Sequence, residues 1–472
     1  MLPLKPSRQQ KVVSILGKAI LGLLICAAGL IAYESMLGGG VQHIVGKQQK
    51  NALLAQKSEG QLLRRYNMPP DTLRTALKAL DPDVAQHLDT DTAVPEAGFK
   101  NPCWKSGSGQ MKCLPFAYIL GGFQSGAGTL YQKLAAHPDI ILTGSSRNQF
   151  WAEQGKSAEK FAADNSQAAP QLQADPGKRI ILEGSASTFG FYWSAALRAH
   201  MAFQKVIVPC TQNCTHSTKG PERQACLDGH CYPSAMAADL QAAHSLNMNY
   251  DDLHLPAIVS AAYGAGTFKP KMIVLLRDPI ERLHSAFYGY AHYQKYGHTP
   301  EGFLKYVKEQ VGEIKDCAKR HTGRKADPTD SSPLDAAQAK RHCLLYFEAL
   351  GSKEEAVFFH ADQIIRGAYA VFLEVWMRYF PLGDQLLVIK SEDYFADQQQ
   401  TLSKVYKFLG LDEPVDQALV QKIKKAGEPQ QKQPRPGMLP EARKILKDFY
   451  KPYNKELREL LGDDKWLLYN KA

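Results

Sequence analysis

The 472-residue chain lacks several signatures that would fix its class at once. Its glycine-rich stretch, Gly121 to Gly128, has Ala127-Gly128 where a nucleoside-triphosphate loop has Lys followed by Ser or Thr, which excludes that phosphate grip. Gly122, Gly126 and Gly128 fit the glycine spacing of short-chain dehydrogenases. However, no tyrosine is followed four residues later by lysine, so the Tyr-x-x-x-Lys pair of that class is missing. No RNA-recognition, zinc-finger or homeodomain signature accompanies the formal net charge of +10, and nucleic acid is not an expected partner. Long apolar runs are scarce as well: one stretch, Val12 to Tyr33, is long enough to cross a bilayer.

What is present reads as a secreted or membrane-anchored globular protein. The hydrophobic fraction of 44% is ordinary and the length allows one catalytic-size domain with accessory segments. The positive charge favours anionic partners such as a nucleotide, an acidic polysaccharide or a membrane surface. Lys5, Arg8 and Lys11 precede the apolar run and predict a cytoplasmic tail (1–11), a signal-anchor helix (12–33) and a lumenal remainder, the type II orientation. Lys18 can snorkel back to the basic face. A cleaved signal peptide is the alternative, and it leads to the same secretory route. Residues 34–110 read as a stem of short helices, with a joint at Gly38-Gly39-Gly40 and breaks at Pro69-Pro70 and Pro82, ahead of a catalytic domain over 111–472. Eight of the nine cysteines lie beyond the span, an even set that fits disulfides in an oxidising compartment. Local bridges would be Cys103 to Cys113, Cys317 to Cys343 and a nested set within Cys210 to Cys231. A zinc site on that last cluster is the competing reading. Asn213-Cys214-Thr215 is a glycosylation sequon, and a bridge at Cys214 would impede its use.

The chemistry-bearing segments follow strand-turn-helix grammar. Tyr118, Ile119 and Leu120 open into the glycine turn, and Leu130, Leu134 and Ala135 recur at helical spacing until Pro138. A glycine turn running into a helix N-terminus offers backbone N–H groups and a positive dipole end, which suits phosphate or sulfate. The run Arg179 to Phe189 is an apolar strand ending in Glu183, a carboxylate expected to have a raised pKa and to accept a proton; a cap or ion pair is its plainer reading. Met272 to Leu276 is a continuous apolar strand that delivers Arg277, with Ser285 two turns into the next helix. Arginine and serine in that relation suit a phosphate, whereas Asp278 and Arg282 are expected to brace the turn. Glu313 to Ala339 reads as a polar loop or insertion, and Tyr369, Leu373 and Trp376 as a core-facing helical stripe.

These segments, in this order, resemble those of the Golgi carbohydrate sulfotransferases from about Phe116 to Trp466. GGFQSGAGTLYQKLAAHP is similar to the family's G-x-P-K-S-G-T-T loop, KMIVLLRDPIERLHSAFYGY to its R-D-P-x-x-R-L-x-S signature, RIILEGSASTF to the E-K-S-A-T-Y-F of heparan sulfate sulfotransferases, and DFYKPYNKEL to its C-terminal ending. Within the family, the branch that 6-sulfates N-acetylgalactosamine 4-sulfate looks most similar. The resemblance implies a P-loop-like α/β fold, a parallel sheet flanked by helices. It also implies a Golgi-membrane enzyme that moves a sulfuryl group from PAPS (3′-phosphoadenosine 5′-phosphosulfate) to a carbohydrate hydroxyl without a metal. The implied donor contacts are Gln124, Ser125, Gly126, Ala127, Gly128 and Thr129 for the 5′-phosphosulfate, and Arg277, Ser285, Lys432 and Arg435 for the 3′-phosphate. Glu183 would be the base. Gln124 stands where the family has a charged lysine, and Arg147, in SSRNQFW, is the cation that would compensate. The alternative is a weakened or non-catalytic protein that binds nucleotide or glycan.

Overall fold

The computed structural model describes residues 70–88, 94–153, 155–191, 198–248, 250, 253–289, 295–325, 332–427 and 435–470. The expected membrane span, the Gly38-Gly39-Gly40 joint and Lys432 lie outside them. Among the described residues, no helix is long and apolar enough to cross a membrane.

Two short antiparallel strands, β1 (Cys103–Lys105) and β2 (Met111–Cys113), pair with Cys103 opposite Cys113, and a disulfide closes the pair. The main sheet is parallel and consists of β3 (Ala117–Gly121), β4 (Ile140–Ile141), β5 (Ile180–Glu183), β6 (Lys271–Leu276) and β7 (Leu386–Lys390). Their order across the sheet is β4-β5-β3-β6-β7, so the first of these strands is central and the chain passes to opposite sides of it. That reversal opens a crevice at the C-terminal ends of β3, β5 and β6, where doubly wound folds bind ligands.

The sheet is buried on both faces, which is why its strands are runs of apolar residues and not alternating ones. Tyr118, Leu120, Met272, Val274 and Leu276 join the larger core cluster. Their neighbours Ala117, Ile119, Ile273 and Leu275 join a second cluster on the other side. The period of two along each strand thus divides the core into two layers.

Several expectations need correction. The segment expected as stem contributes the helix Pro70–Leu80, whose Leu73, Ala76, Leu77 and Leu80 are buried in the main core, so the folded unit begins well before residue 111. The polar stretch from Glu313 is helical as far as His321, as the end of the helix Pro300–His321. Its buried Val307, Val311, Ile314 and Ala318 keep helical spacing beneath a charged outer face, and Lys319, Arg320 and His321 suit the negative end of the dipole. Tyr369, Leu373 and Trp376 are buried on the helix Tyr369–Tyr379, as the spacing predicts. The eight cysteines form four disulfides, Cys103–Cys113, Cys210–Cys231, Cys214–Cys226 and Cys317–Cys343. The cluster at Cys210 to Cys231 is therefore oxidised and nested, not arranged as zinc thiolates.

Candidate active site

The glycine turn leaves β3 and enters the helix Ala127–Ala135. Gly122 N donates to Leu275 O of β6 at 2.6 Å and Ser125 N donates back to Gly122 O at 3.1 Å, which folds the turn against the neighbouring strand. Gly126 is the helix N-cap at φ 92°, and an added Cβ there would lie 2.8 Å from the half-exposed Phe395 ring. No side chain caps this helix and its first turn holds no acidic residue. The first-turn N–H groups and the positive end of the dipole are thus available to an anion. Gly128 faces open space, since a Cβ there would meet nothing within 4 Å. Ser125 Oγ is buried without a hydrogen bond of ordinary geometry. A buried hydroxyl in that state, beside an uncapped helix end, fits a site built for phosphate or sulfate oxygens.

The second motif closes onto the same turn. Arg277, at the end of β6, donates from Nη1 to Gln124 O at 3.3 Å, and Ser285 Oγ donates to Gln124 Oε1 at 3.1 Å. Gln124 itself has φ 60°, a left-handed conformation that non-glycine residues seldom adopt. Asp278 Oδ1 accepts from Ile280 N at 2.8 Å and Glu281 N at 3.3 Å and so starts the helix Pro279–Gly289, while buried Arg282 donates to Gln363 Oε1 at 3.1 Å. Asp278 thus braces the turn, as expected, whereas Arg282 ties its helix to Gln363 of the helix Ser352–Ile365. Arg435 stands close enough to Arg277 to feel its charge: burial lowers the Arg435 pKa first, and Arg277 lowers it further. His284 is kept neutral mainly by burial, with Arg435, Arg443 and Arg277 working the same way and Glu281 opposing them. The ground beside Ser285 is therefore cationic.

Glu183 ends β5 at 1% exposure, in register beside Tyr118 of β3. Ser185 N donates to its Oε2 at 3.1 Å and Ser185 Oγ to its Oε1. Burial raises its pKa to about 7 against the pull of these hydrogen bonds and of the Arg147 charge. A carboxyl so poised exchanges protons near neutrality. Arg147 is exposed, and its guanidinium lies 5.0 Å from the Tyr131 ring centroid, on the helix that begins at the glycine turn.

Other residues at the site carry no motif in the sequence. Ser391 Oγ donates to Ser125 O at 2.5 Å, and Tyr369 OH donates to Arg277 O at 2.8 Å, so the helix before β7 and the one that follows it each hold one half of the site. The signal that could have found them is their place at the C-terminal ends of strands or on a helix packed there, which only the topology supplies. A separate cavity of about 370 Å³ lies between the helices Gln398–Leu409 and Gln417–Lys425, and its lining includes none of the site residues above.

Residues 254–435 match the sulfotransferase domain family, and this segment contains Arg277, Ser285 and Arg435. The match covers β6, β7 and the helices between them, and leaves β3, β4 and β5 outside it. The chain is 24% identical over 362 residues to carbohydrate sulfotransferase 15 of Homo sapiens, covering 75% of this chain and 54% of that protein. It is 35% identical over 94 residues to carbohydrate sulfotransferase 15 of Nototodarus sloanii, covering 19% of this chain and 58% of that protein. It is also 30% identical over 161 residues to heparan sulfate glucosamine 3-O-sulfotransferase 3B1 of Mus musculus, covering 29% of this chain and 40% of that protein. The chain spans about half the length of the first curated relatives it matches.

Proposed function

We propose that the protein transfers a sulfuryl group from PAPS to a hydroxyl of a carbohydrate, with an acidic polysaccharide as the acceptor class. The observation that carries this reading is the closure of Arg277 and Ser285 onto Gln124, which brings two motifs more than 150 residues apart onto one surface. A donor that is anionic at both ends needs such a surface. The N–H groups of Ala127, Gly128 and Thr129 and the Ser125 hydroxyl receive the 5′-phosphosulfate, and Arg277, Ser285 and Arg435 receive the 3′-phosphate. Lys432 is assigned to that second group by the resemblance alone.

In the reaction, the acceptor oxygen forms its bond to sulfur as the bond from sulfur to the phosphate oxygen breaks. The hydroxyl proton passes to Glu183, and the leaving electron pair stays with the phosphate. Most of the rate enhancement then comes from positioning and from donors aimed at the developing charge. Gln124 offers a neutral amide where a lysine would offer a full charge. The net positive charge of the chain supports an acidic acceptor. The N-terminal run supports a Golgi-membrane, type II placement with the catalytic domain in the lumen.

The test is a comparison of two variants. Arg277→Ala should abolish binding of PAP, the desulfated donor, in calorimetry. Glu183→Gln should keep PAP affinity within about twofold and lower transfer of labelled sulfate by roughly a hundredfold or more. Transfer by Glu183→Gln at the parental rate removes Glu183 as the base. PAP binding without any transfer by the parent, across a panel of glycans, favours the reading of a binding protein, for which the neutral Gln124 is the specific support.

A further inference from the structure

The lysine missing at Gln124 leaves the transferred group without its expected cation, and a different element of the fold brings one beside the glycine turn. Arg366 caps the C-terminal end of the helix Ser352–Ile365 and is only 9% exposed. Its guanidinium lies 5.5 Å from the ring centroid of Phe123, the residue before Gln124 in the glycine turn. Its Nη1 donates to Ser187 O at 3.5 Å, in the turn that begins at Glu183. Asp362 Oδ2 holds Nε at 3.4 Å, which fixes the plane of the fork. The two turns that Arg366 touches are themselves in contact, since Phe189 N donates to Leu120 O at 2.7 Å and a Cβ on Gly121 would lie 2.5 Å from Ala186 O. Arg366 therefore sits at the seam between the turn assigned to the donor and the turn that carries the base.

We propose that Arg366 is the cation that stabilises the sulfuryl group in transit, in place of the lysine that the glycine turn lacks. This rests on the sulfotransferase reading given above. A group passing from a donor on the glycine turn to a hydroxyl beside Glu183 crosses that seam, and its oxygens carry the negative charge that a guanidinium fork matches. Burial strengthens the interaction, because a charge held away from water acts through a lower effective dielectric. Arg147 differs in being exposed and in stacking on Tyr131, a turn further along the helix.

The experiment separates the sulfuryl group from the rest of the donor. Arg366→Ala and Arg366→Lys are compared with the parent for kcat and, with no acceptor present, for equilibrium affinity toward PAPS and PAP. PAP lacks the group that Arg366 is assigned to hold. The expected result is a fall in kcat of about a hundred- to thousandfold for Arg366→Ala, with a smaller loss for Arg366→Lys. PAP affinity should stay within about twofold while the preference for PAPS over PAP shrinks. Equal losses of PAPS and PAP affinity, or an unchanged kcat, overturn the proposal and leave the function standing. If the parent itself neither binds PAP nor transfers sulfate, the underlying reading has failed and the proposal falls with it. Should Arg366→Ala not fold, Arg366→Lys decides, because it keeps the charge and loses the fork: a kcat and a PAPS preference equal to those of the parent overturn the assignment.

Discussion

Glu183, in the base role proposed for it, would serve chemistry at the expense of stability. Its pKa rises from 4.5 to about 7 on folding, mainly through burial. Below the unfolded value the carboxyl is protonated in both states and contributes nothing. Between the two values the folded state binds the extra proton, so stability falls as pH rises, and above about 7 the deficit is complete at roughly 3 kcal/mol. In the proposed reaction transfer runs the other way, since only the ionised carboxylate accepts a proton, and the rate should climb with pH through about 7. Glu183→Gln should therefore raise the unfolding midpoint relative to the parent at pH 8 and lose that advantage at pH 5, measured by thermal unfolding at the two pH values. An advantage independent of pH contradicts the ionisation argument. Glu183 stood out in the sequence because a lone carboxylate ended an apolar strand. Arg366 did not, because nothing around RGAY marks its guanidinium as destined for a seam between two distant turns.

At the level of single elements, the turn between β3 and its helix is the most exacting. Gly126 has φ 92° and sits against Phe395, so Gly126→Ala meets both a left-handed backbone and a ring. We expect a loss of about 1 to 2 kcal/mol from the backbone alone, with a larger loss in PAP affinity because the uncapped helix end is displaced. Denaturant unfolding and PAP titration read the two effects separately, and a variant that binds PAP like the parent shows that this end of the helix is not the anion seat. The turn was legible because glycine spacing, strand and helix are contiguous in the chain. The same holds for KMIVLLRDPIERLHSAFYGY, whose strand, arginine and serine all appear at the expected places. The helix Pro300–His321 was misread at its end because a charged outer face outweighed the buried Val311, Ile314 and Ala318 in a reading by composition. Ser391 and Tyr369 were invisible as site residues, since their contacts to Ser125 and Arg277 depend on where β7 and a remote helix come to lie.

Across the whole molecule, covalent links tie down the helical additions to the sheet. Cys317–Cys343 joins two helices over a sequence separation of 26, and the chain-entropy account assigns such a closure about 3 to 4 kcal/mol. Replacing both cysteines by serine should lower the free energy of unfolding by about that amount, measured in urea, and leave PAP affinity within about twofold. A variant as stable as the parent shows that the two helices, already packed through a buried core, do not need the link. The class of fold was readable because the apolar strands alternate with helical segments, but the strand order was not, and the order is what brings Arg277 back to the turn it grips. That grip has a consequence for any anion that arrives. The cradle already hosts a tethered amide and carbonyl from its own backbone and side chain, so an incoming phosphate is judged against those incumbents and not against bulk water. Discrimination among ligands then depends on how much better each one satisfies the arginine and serine than glutamine does.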